Sequence, residues 1–467
     1  MDAISFGTDG WRATLDQFTD DRVRVVGQAV ADYLAAEGLD GEVVVGYDAR
    51  PTSEGFAESL AEVLAGNGFD AVLPERDCPT PVAAHAVVRR EAVGALMVTA
   101  SHNPPEYNGV KFIPADGAPA LPDVTERIEA NLREPELDAD AAGDVTRADL
   151  ATGHATHARD VVAERVGVDD LDLSGVTVAY DAMHGSGRGV TDALLEAAGA
   201  DVVRLRCDRD PEFGGSPPEP SAEHLEALIE HVEHGDADLG IANDGDADRL
   251  ALVTPGRGFL DENLFFAATY DRLLDTDGGP AVRTVSTTFL VDRIADAHGE
   301  DVYETAVGFK WVAEAMGEHD ALMAGEESGG FSVRGHIREK DGVLMALLAA
   351  AVEADEQYDD RVDRLEAEHG RIVADKTSVD CPDHLKDRVV ADLADEIPEE
   401  VAGQPVADVV TVDGFKLLLA DGSWMLVRPS GTEPKMRIYA ESGSQARSDA
   451  ILAAGRDLVG PAVQAAE

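Results

Sequence analysis

Short apolar runs rich in β-branched residues recur along the chain, separated by longer stretches with helical spacing. That alternation predicts βα units and an α/β fold. Residues 43–49 and 176–182 read as strands that share a Tyr-Asp-Ala exit turn, a weak sign of internal repetition. A more regular unit is an apolar run, a polar loop and a second apolar run. It occurs at 95–113 around Ser101, at 238–253 around Asp244, at 321–333 around Glu326 and at 424–439 around Ser430. Four such units predict four domains, at 1–150, 151–254, 255–369 and 370–467, each offering one loop to a common cleft. The last reads as a smaller α+β domain. Residues 135–150, acidic and alanine-rich, read as a connector or an exposed helix. The turn cluster 254–258 reads as the close of the second domain. The acidic stretch 353–369 reads as a solvated helix face that ends the third.

The chain has 467 residues, too many for one core, with 92 acidic against 38 basic residues and a formal net charge of -54. Acid spread along the whole chain argues against a nucleic-acid surface and against attraction to anionic membranes. It suits a halophile's salt-rich cytoplasm, where self-repulsion is screened. Lysine is scarce: 7 of the 38 basic residues. Four of the seven fall inside motifs: Lys111 and Lys435 in the loops below, Lys310 and Lys340 in the segments 305–310 and 336–342 that flank the third, where a compact ammonium has a use that Arg does not fill. Cys78, Cys207 and Cys381 form no Cys-x-x-Cys pair and read as buried thiols. The N-terminus lacks a signal-peptide pattern, and the longest apolar run, 343–352, is too short to span a bilayer. The expectation is a cytoplasmic protein, monomeric or homodimeric.

The loops carry the chemistry. Thr99-Ala100-Ser101-His102-Asn103-Pro104 places a hydroxyl straight after an apolar run, with Tyr107-Asn108-Gly109-Val110-Lys111 following. Asp244-Gly245-Asp246-Ala247-Asp248-Arg249 puts three carboxylates on one side of an extended loop, converging on a hard cation. A calcium EF-hand is excluded, because its sixth position needs Gly where this chain has Arg249 and its twelfth needs Glu where it has Pro255. Gly325-Glu326-Glu327-Ser328-Gly329-Gly330 offers a carboxylate able to accept from vicinal hydroxyls. Arg428-Pro429-Ser430-Gly431-Thr432-Glu433-Pro434-Lys435, followed by Arg437, combines Arg, hydroxyls and a glycine turn into a nest for a phosphate dianion.

These four strings, in this order, resemble the α-D-phosphohexomutases, and Gly7-Thr8-Asp9-Gly10-Trp11-Arg12 is similar to that family's opening. The resemblance implies a heart-shaped molecule of three related α/β domains with mixed sheets plus a C-terminal α+β domain. It implies that Ser101 is phosphorylated, with His102, Lys111 and Arg12 assisting, and that Mg2+ is held by Ser101, Asp244, Asp246 and Asp248. Substrate contacts would come from Arg249, Lys310, Glu326, Ser328, His336, Lys340, Arg428, Ser430, Gly431, Thr432 and Arg437. The implied reaction interconverts hexose 1-phosphate and hexose 6-phosphate through hexose 1,6-bisphosphate. The string around His336 to Gly342 resembles glucose-specific members, whereas glucosamine and many mannose mutases carry His at the place of Gly330. Glucose is therefore the expected hexose, and a phosphomannomutase or phosphoglucosamine mutase with the same mechanism, a metal-dependent phosphatase using the same loops and an inactive sugar-phosphate binder are the rival readings.

Overall fold

The computed structural model describes residues 4–7, 10–138, 143–395, 397–431 and 433–466. Four sheets follow one another along the chain. The first has six strands in the spatial order Trp11–Thr14, Tyr107–Pro114, Gly94–Val98, Glu42–Tyr47, Asp70–Pro74 and Val145–Ala148. The second runs Gly258–Leu260, Leu250–Thr254, Leu239–Asn243, Thr177–Asp181, Asp201–Leu205. The third runs Val302–Thr305, Ala281–Thr284, Met323–Gly325, Phe331–Val333.

These three sheets are mixed in the same way. Glu42–Tyr47 is parallel to both neighbours, as are Thr177–Asp181 and Ala281–Thr284. Each parallel core then continues into an antiparallel pair: Gly94–Val98 with Tyr107–Pro114, Leu239–Asn243 with Leu250–Thr254, and Met323–Gly325 with Phe331–Val333. The loop inside each pair is one of the polar strings above. The fourth sheet is wholly antiparallel, and its pair Trp424–Pro429 and Lys435–Ser442 encloses the fourth string. One local motif therefore presents every candidate loop.

Strand composition explains the layering. Val43 and Val45 pack into one core with the helices Asp20–Ala36 and Ser53–Gly66, while Val44 packs into another with Thr80–Arg90. Alternate side chains thus feed helical layers on opposite faces, which a half-exposed strand could not do. The second core runs on through the helices Ala151–Val166 and Gly342–Asp355 into the third sheet. The apolar run 343–352 is this last helix, buried throughout almost its whole length. No helix among the described residues is long and apolar enough to cross a membrane.

The structure adds three details. Part of 135–150 forms the edge strand Val145–Ala148, parallel to Asp70–Pro74; its mostly exposed, polar residues hid it from a periodicity argument. The turn 254–258 is a hairpin inside the second sheet. Cys78 and Cys381 are buried thiols, while Cys207 is half-buried.

The fourth unit docks on the third through Trp424, Leu426 and Tyr439 packed with Val285. Lys416, fully buried, pairs with Glu304 at 3.0 Å and lies 4.0 Å from the Phe289 ring centroid. Burial is the main cause that pushes the ammonium of Lys416 down to about 8, with Arg283 adding to it.

Candidate active site

Ser101 sits at the start of its loop with φ 51°, a left-handed backbone that a non-glycine residue adopts only when its surroundings impose it. Arg50 imposes it. Its Nη2 donates to the carbonyl oxygens of Ser101 at 2.8 Å and Asn103 at 2.6 Å; its Nη1 donates to those of Pro104 at 2.7 Å and Tyr107 at 3.1 Å. Asp48 fixes Arg50 through Nε at 3.0 Å and also accepts from Ser53 Oγ and Thr99 Oγ1. Asp48 and Arg50 are fully buried.

Ser101 Oγ donates to Asp244 Oδ2 at 2.8 Å, with His102 Nδ1 3.2 Å away. Gly245 permits this approach, because a Cβ there would lie 2.5 Å from the Ser101 carbonyl oxygen. The Arg249 guanidinium, burial and the Arg12 guanidinium together push the His102 imidazole down to about 2, so it is neutral. Arg12 Nη1 donates to Asn103 Oδ1 at 3.3 Å.

Asp244, Asp246 and Asp248 are buried, and one carboxylate oxygen from each lies within 4.8 Å of the others. Cations flank them. Lys111 Nζ reaches Asp246 and Asp248, each at 3.2 Å, and Lys340 Nζ reaches Asp248 at 3.1 Å. Burial, with Asp246 and Asp248 alongside, raises the carboxyl of Asp244 well above the ordinary range. Burial also opposes ionisation of Asp248, but Lys340, Lys111 and Arg249 outweigh it and hold that carboxyl low. Thr80, at the start of its helix, donates through Oγ1 to Asp246 Oδ2 at 2.6 Å.

The trio fits a hard divalent cation. Asp246 Oδ1 and Asp248 Oδ1 are buried with no hydrogen-bond partner, so each has an oxygen left for an ion. An all-carboxylate donor set suits Mg2+ rather than a softer metal. Lys111 and Lys340 pair with the trio, and Arg249 lies beside it.

The third loop joins the second directly: Leu250 N donates to the Gly329 carbonyl at 2.9 Å, and Arg249 pairs with Gly330 in a β-bridge. Glu326 is buried and accepts from Gly308 N at 3.0 Å, and Ser328 is half-buried in the turn after it. Next to Gly308, Val307 N donates to Asp413 Oδ2 at 3.1 Å, and the same oxygen accepts from Arg428 Nε at 2.8 Å. These contacts link the sugar-type loop to the phosphate-type loop. In the latter, Lys386 Nζ donates to the carbonyls of Ser430 at 2.5 Å and Glu433 at 2.6 Å. Glu433 in turn accepts from Lys435 and from Arg437. Gly431 lies at the loop's turn, and Thr432 lies outside the described residues.

Two expected substrate contacts are placed elsewhere. Lys310 lines a cavity of about 480 Å³ between the first and third units, with Phe112, Ala118 and Glu314. His336 has no free atom for a sugar: its side chain is buried, Nε2 lies 2.8 Å from Asp341 and Nδ1 lies 3.1 Å from His157. Packing against the first two units covers it. Conversely, Asp48, Arg50, Thr80 and Lys386 support the loops and escaped the sequence reading. Only the rarity of lysine pointed toward the last of them. Trp11, adjacent to Arg12, is core, stacked on Phe18 at 4.5 Å.

A serine, a carboxylate trio, a carboxylate able to read hydroxyls and a basic nest on four successive domains define a class: isomerases that move phosphate within a sugar. The domain matches agree. Phosphoglucomutase/phosphomannomutase alpha/beta/alpha domains I, II and III match residues 3–138, 155–257 and 261–368, and the C-terminal domain matches 379–458. The chain belongs to the phosphoglucomutase/phosphomannomutase family. It is 33% identical to a probable phosphoglucosamine mutase of Methanopyrus kandleri, over 95% of each chain. It is 31% identical to a phosphoglucomutase/phosphomannomutase of Thermococcus kodakarensis, over 98% of this chain and 99% of that one. A crystal structure from Thermus thermophilus, assigned to a phosphomannomutase, superposes with a TM-score of 0.84 at 32% identity, covering 98% of this chain and 99% of that one.

Proposed function

We propose that this protein interconverts hexose 1-phosphate and hexose 6-phosphate, with glucose as the preferred hexose, through phospho-Ser101 and a hexose 1,6-bisphosphate. The observation that carries this reading is the 2.8 Å hydrogen bond from Ser101 Oγ to Asp244 Oδ2, one member of the cation-competent trio. Phosphoryl transfer asks mainly for positioning and charge stabilisation, and this site is built for both.

In this reading Arg50 holds the Ser101 backbone so that Oγ faces the trio. Bound Mg2+ supplies charge neutralisation on the transferring phosphoryl oxygens, held by Asp244, Asp246, Asp248 and an oxygen on Ser101. Lys111 and Arg12 steady the phosphoryl group. The neutral His102 ring accepts the serine proton as a phosphoryl group arrives on Oγ and returns it as the group leaves. Glu326 and Ser328 receive sugar hydroxyls. Ser430, Gly431, Thr432, Arg428 and Arg437 hold the phosphate that does not react. A nest of this kind reads charge rather than ring orientation, so it accepts either end of the bisphosphate after it turns around.

The glucose preference has its own support. A Cβ at Gly330 would sit 2.4 Å from Lys340 Cδ, so the stem of Lys340 occupies the space that a histidine at 330 would need. Glucosamine and mannose fit the curated relatives' names about equally well, and one relative, 30% identical, is named a phosphopentomutase. The acidic surface supports a salt-rich cytoplasm as the working medium. The test is kcat/KM for glucose, mannose and glucosamine 1-phosphates with Mg2+ in molar salt. Glucose 1-phosphate is expected to lead. A lead by either other sugar overturns the substrate choice, and steady release of inorganic phosphate in place of isomerisation overturns the reaction.

A further inference from the structure

Away from the four loops, histidines from three units meet in the interior. His85 belongs to the helix Thr80–Arg90, His154 and His157 to Ala151–Val166, and His336 precedes Gly342–Asp355, whose N-cap is Asp341. Asp341 Oδ2 lies 2.5 Å from His154 Nε2 and 2.8 Å from His336 Nε2. One ligand atom from each of these three residues falls within 4.8 Å of the others, and all three side chains are fully buried.

The other oxygen of Asp341 is already committed: Oδ1 accepts from Val343 N at 2.9 Å and Leu344 N at 2.8 Å, which caps the helix. Oδ2 is left facing the imidazoles. Among the described residues, His154 and His336 are the only basic groups within ion-pair distance of this carboxylate. His154 Nδ1, also buried, has no hydrogen-bond partner.

We propose that His154 Nε2, His336 Nε2 and Asp341 Oδ2 form a second cation site, taking a zinc-class transition ion that ties the second unit to the third. Protons balance without net loss to solvent. Each imidazole binds as the neutral ring, so the proton on Nε2 moves to Nδ1 of the same ring. On His154 the proton is exchanged through water, leaving Nε2 and returning at Nδ1, which has no competing partner. His336 Nδ1 then donates to His157 Nε2, 3.1 Å away, once His157 has exchanged its own proton from Nε2 to Nδ1, and this orients the ring from the second layer. Two nitrogens and one oxygen suit Zn2+, Co2+ or Ni2+, with a water in the fourth position, whereas the acidic trio suits Mg2+. The two sites are therefore sorted by donor chemistry. The ion would also fix the segment that carries Lys340, because Lys340 pairs with Asp248 and Gly342 N donates to the Ala247 carbonyl at 3.2 Å.

The probe is Co2+, added to the full-length protein with Mg2+ in large excess to fill the acidic trio. One equivalent of Co2+ is expected to survive gel filtration and to show the strong visible d–d bands of a four-coordinate ion. His154→Ala and His336→Gln are expected to lose both. No retained Co2+, weak bands of six-coordinate oxygen ligation, or full retention by both variants would each overturn the site. If either variant fails to fold, wild-type crystals soaked in Zn2+ and measured at the zinc edge decide the matter. An anomalous peak between His154 and Asp341 supports the site; peaks confined to Asp244, Asp246 and Asp248 refute it. None of these outcomes depends on the mutase reading.

Discussion

Arg50 Nη2 donates to the carbonyl oxygen of Ser101 at 2.8 Å across 51 residues of sequence, and Asp48 fixes the guanidinium from behind. The hydroxyl's direction is thus set by a fully buried residue that acts on the loop's backbone. Arg50→Lys keeps the charge but loses the fork that spans four carbonyls. The expected result is a kcat lower by on the order of 10²-fold, since a misplacement of about 1 Å costs that much. KM should change little. An unchanged kcat in steady-state assays would remove Arg50 from the account.

Thr80 supports the trio from the first unit, through its hydroxyl to Asp246 Oδ2 at 2.6 Å. Thr80→Val keeps the shape and deletes that bond. Residues behind metal ligands typically contribute about 10–100-fold in metal affinity. Activity titrated against Mg2+ should shift to higher concentration by a factor in that range, with the plateau close to wild type. Identical titrations would show that the trio needs no such support.

Lys386 organises the phosphate-type loop through its two carbonyl contacts. Charge-assisted bonds of this kind contribute about 1.5–3 kcal/mol each. Lys386→Met should therefore raise KM for the sugar phosphate by about tenfold or more and affect kcat less. A fall in kcat with KM unchanged would place Lys386 in the chemical step instead.

Glu353 reports on the interior. Its carboxyl lies in the buried helix Gly342–Asp355, and burial pushes it up to about 7 despite the bond from Tyr358 N at 2.8 Å. Between pH 4.5 and 7 the folded chain keeps a proton that the unfolded chain has lost. Stability from this group therefore falls as pH rises through that window. Glu353→Gln should be more stable than wild type at pH 8 by about 1–3 kcal/mol, with a much smaller gain at pH 5. Thermal midpoints at constant salt check this; an equal difference at both pH values would contradict it.

Much of the architecture was legible because each candidate loop lies between two apolar runs, and such a run, loop and run can only be an antiparallel pair on a larger sheet. The residues behind the loops were not legible. Arg50 sits in an ordinary Ala-Arg-Pro turn and acts on backbone carbonyls, which leave no mark in sequence. Thr80 looks like any residue at a helix start. His336 entered as a substrate contact by resemblance alone, and nothing local in the sequence shows that Asp341 and His157 engage both its ring nitrogens inside the protein. The edge strand Val145–Ala148 was missed because exposed edges need no apolar alternation.

The central claim is that Ser101 carries the phosphoryl group. The most direct measurement is mass spectrometry of the peptide containing Ser101 after incubation with glucose 1,6-bisphosphate and Mg2+, followed by a chase with glucose 1-phosphate. The account predicts phosphate on Ser101 that the chase removes, and no turnover by Ser101→Ala. Phosphate found on another residue, or a Ser101→Ala enzyme that still isomerises, would contradict it.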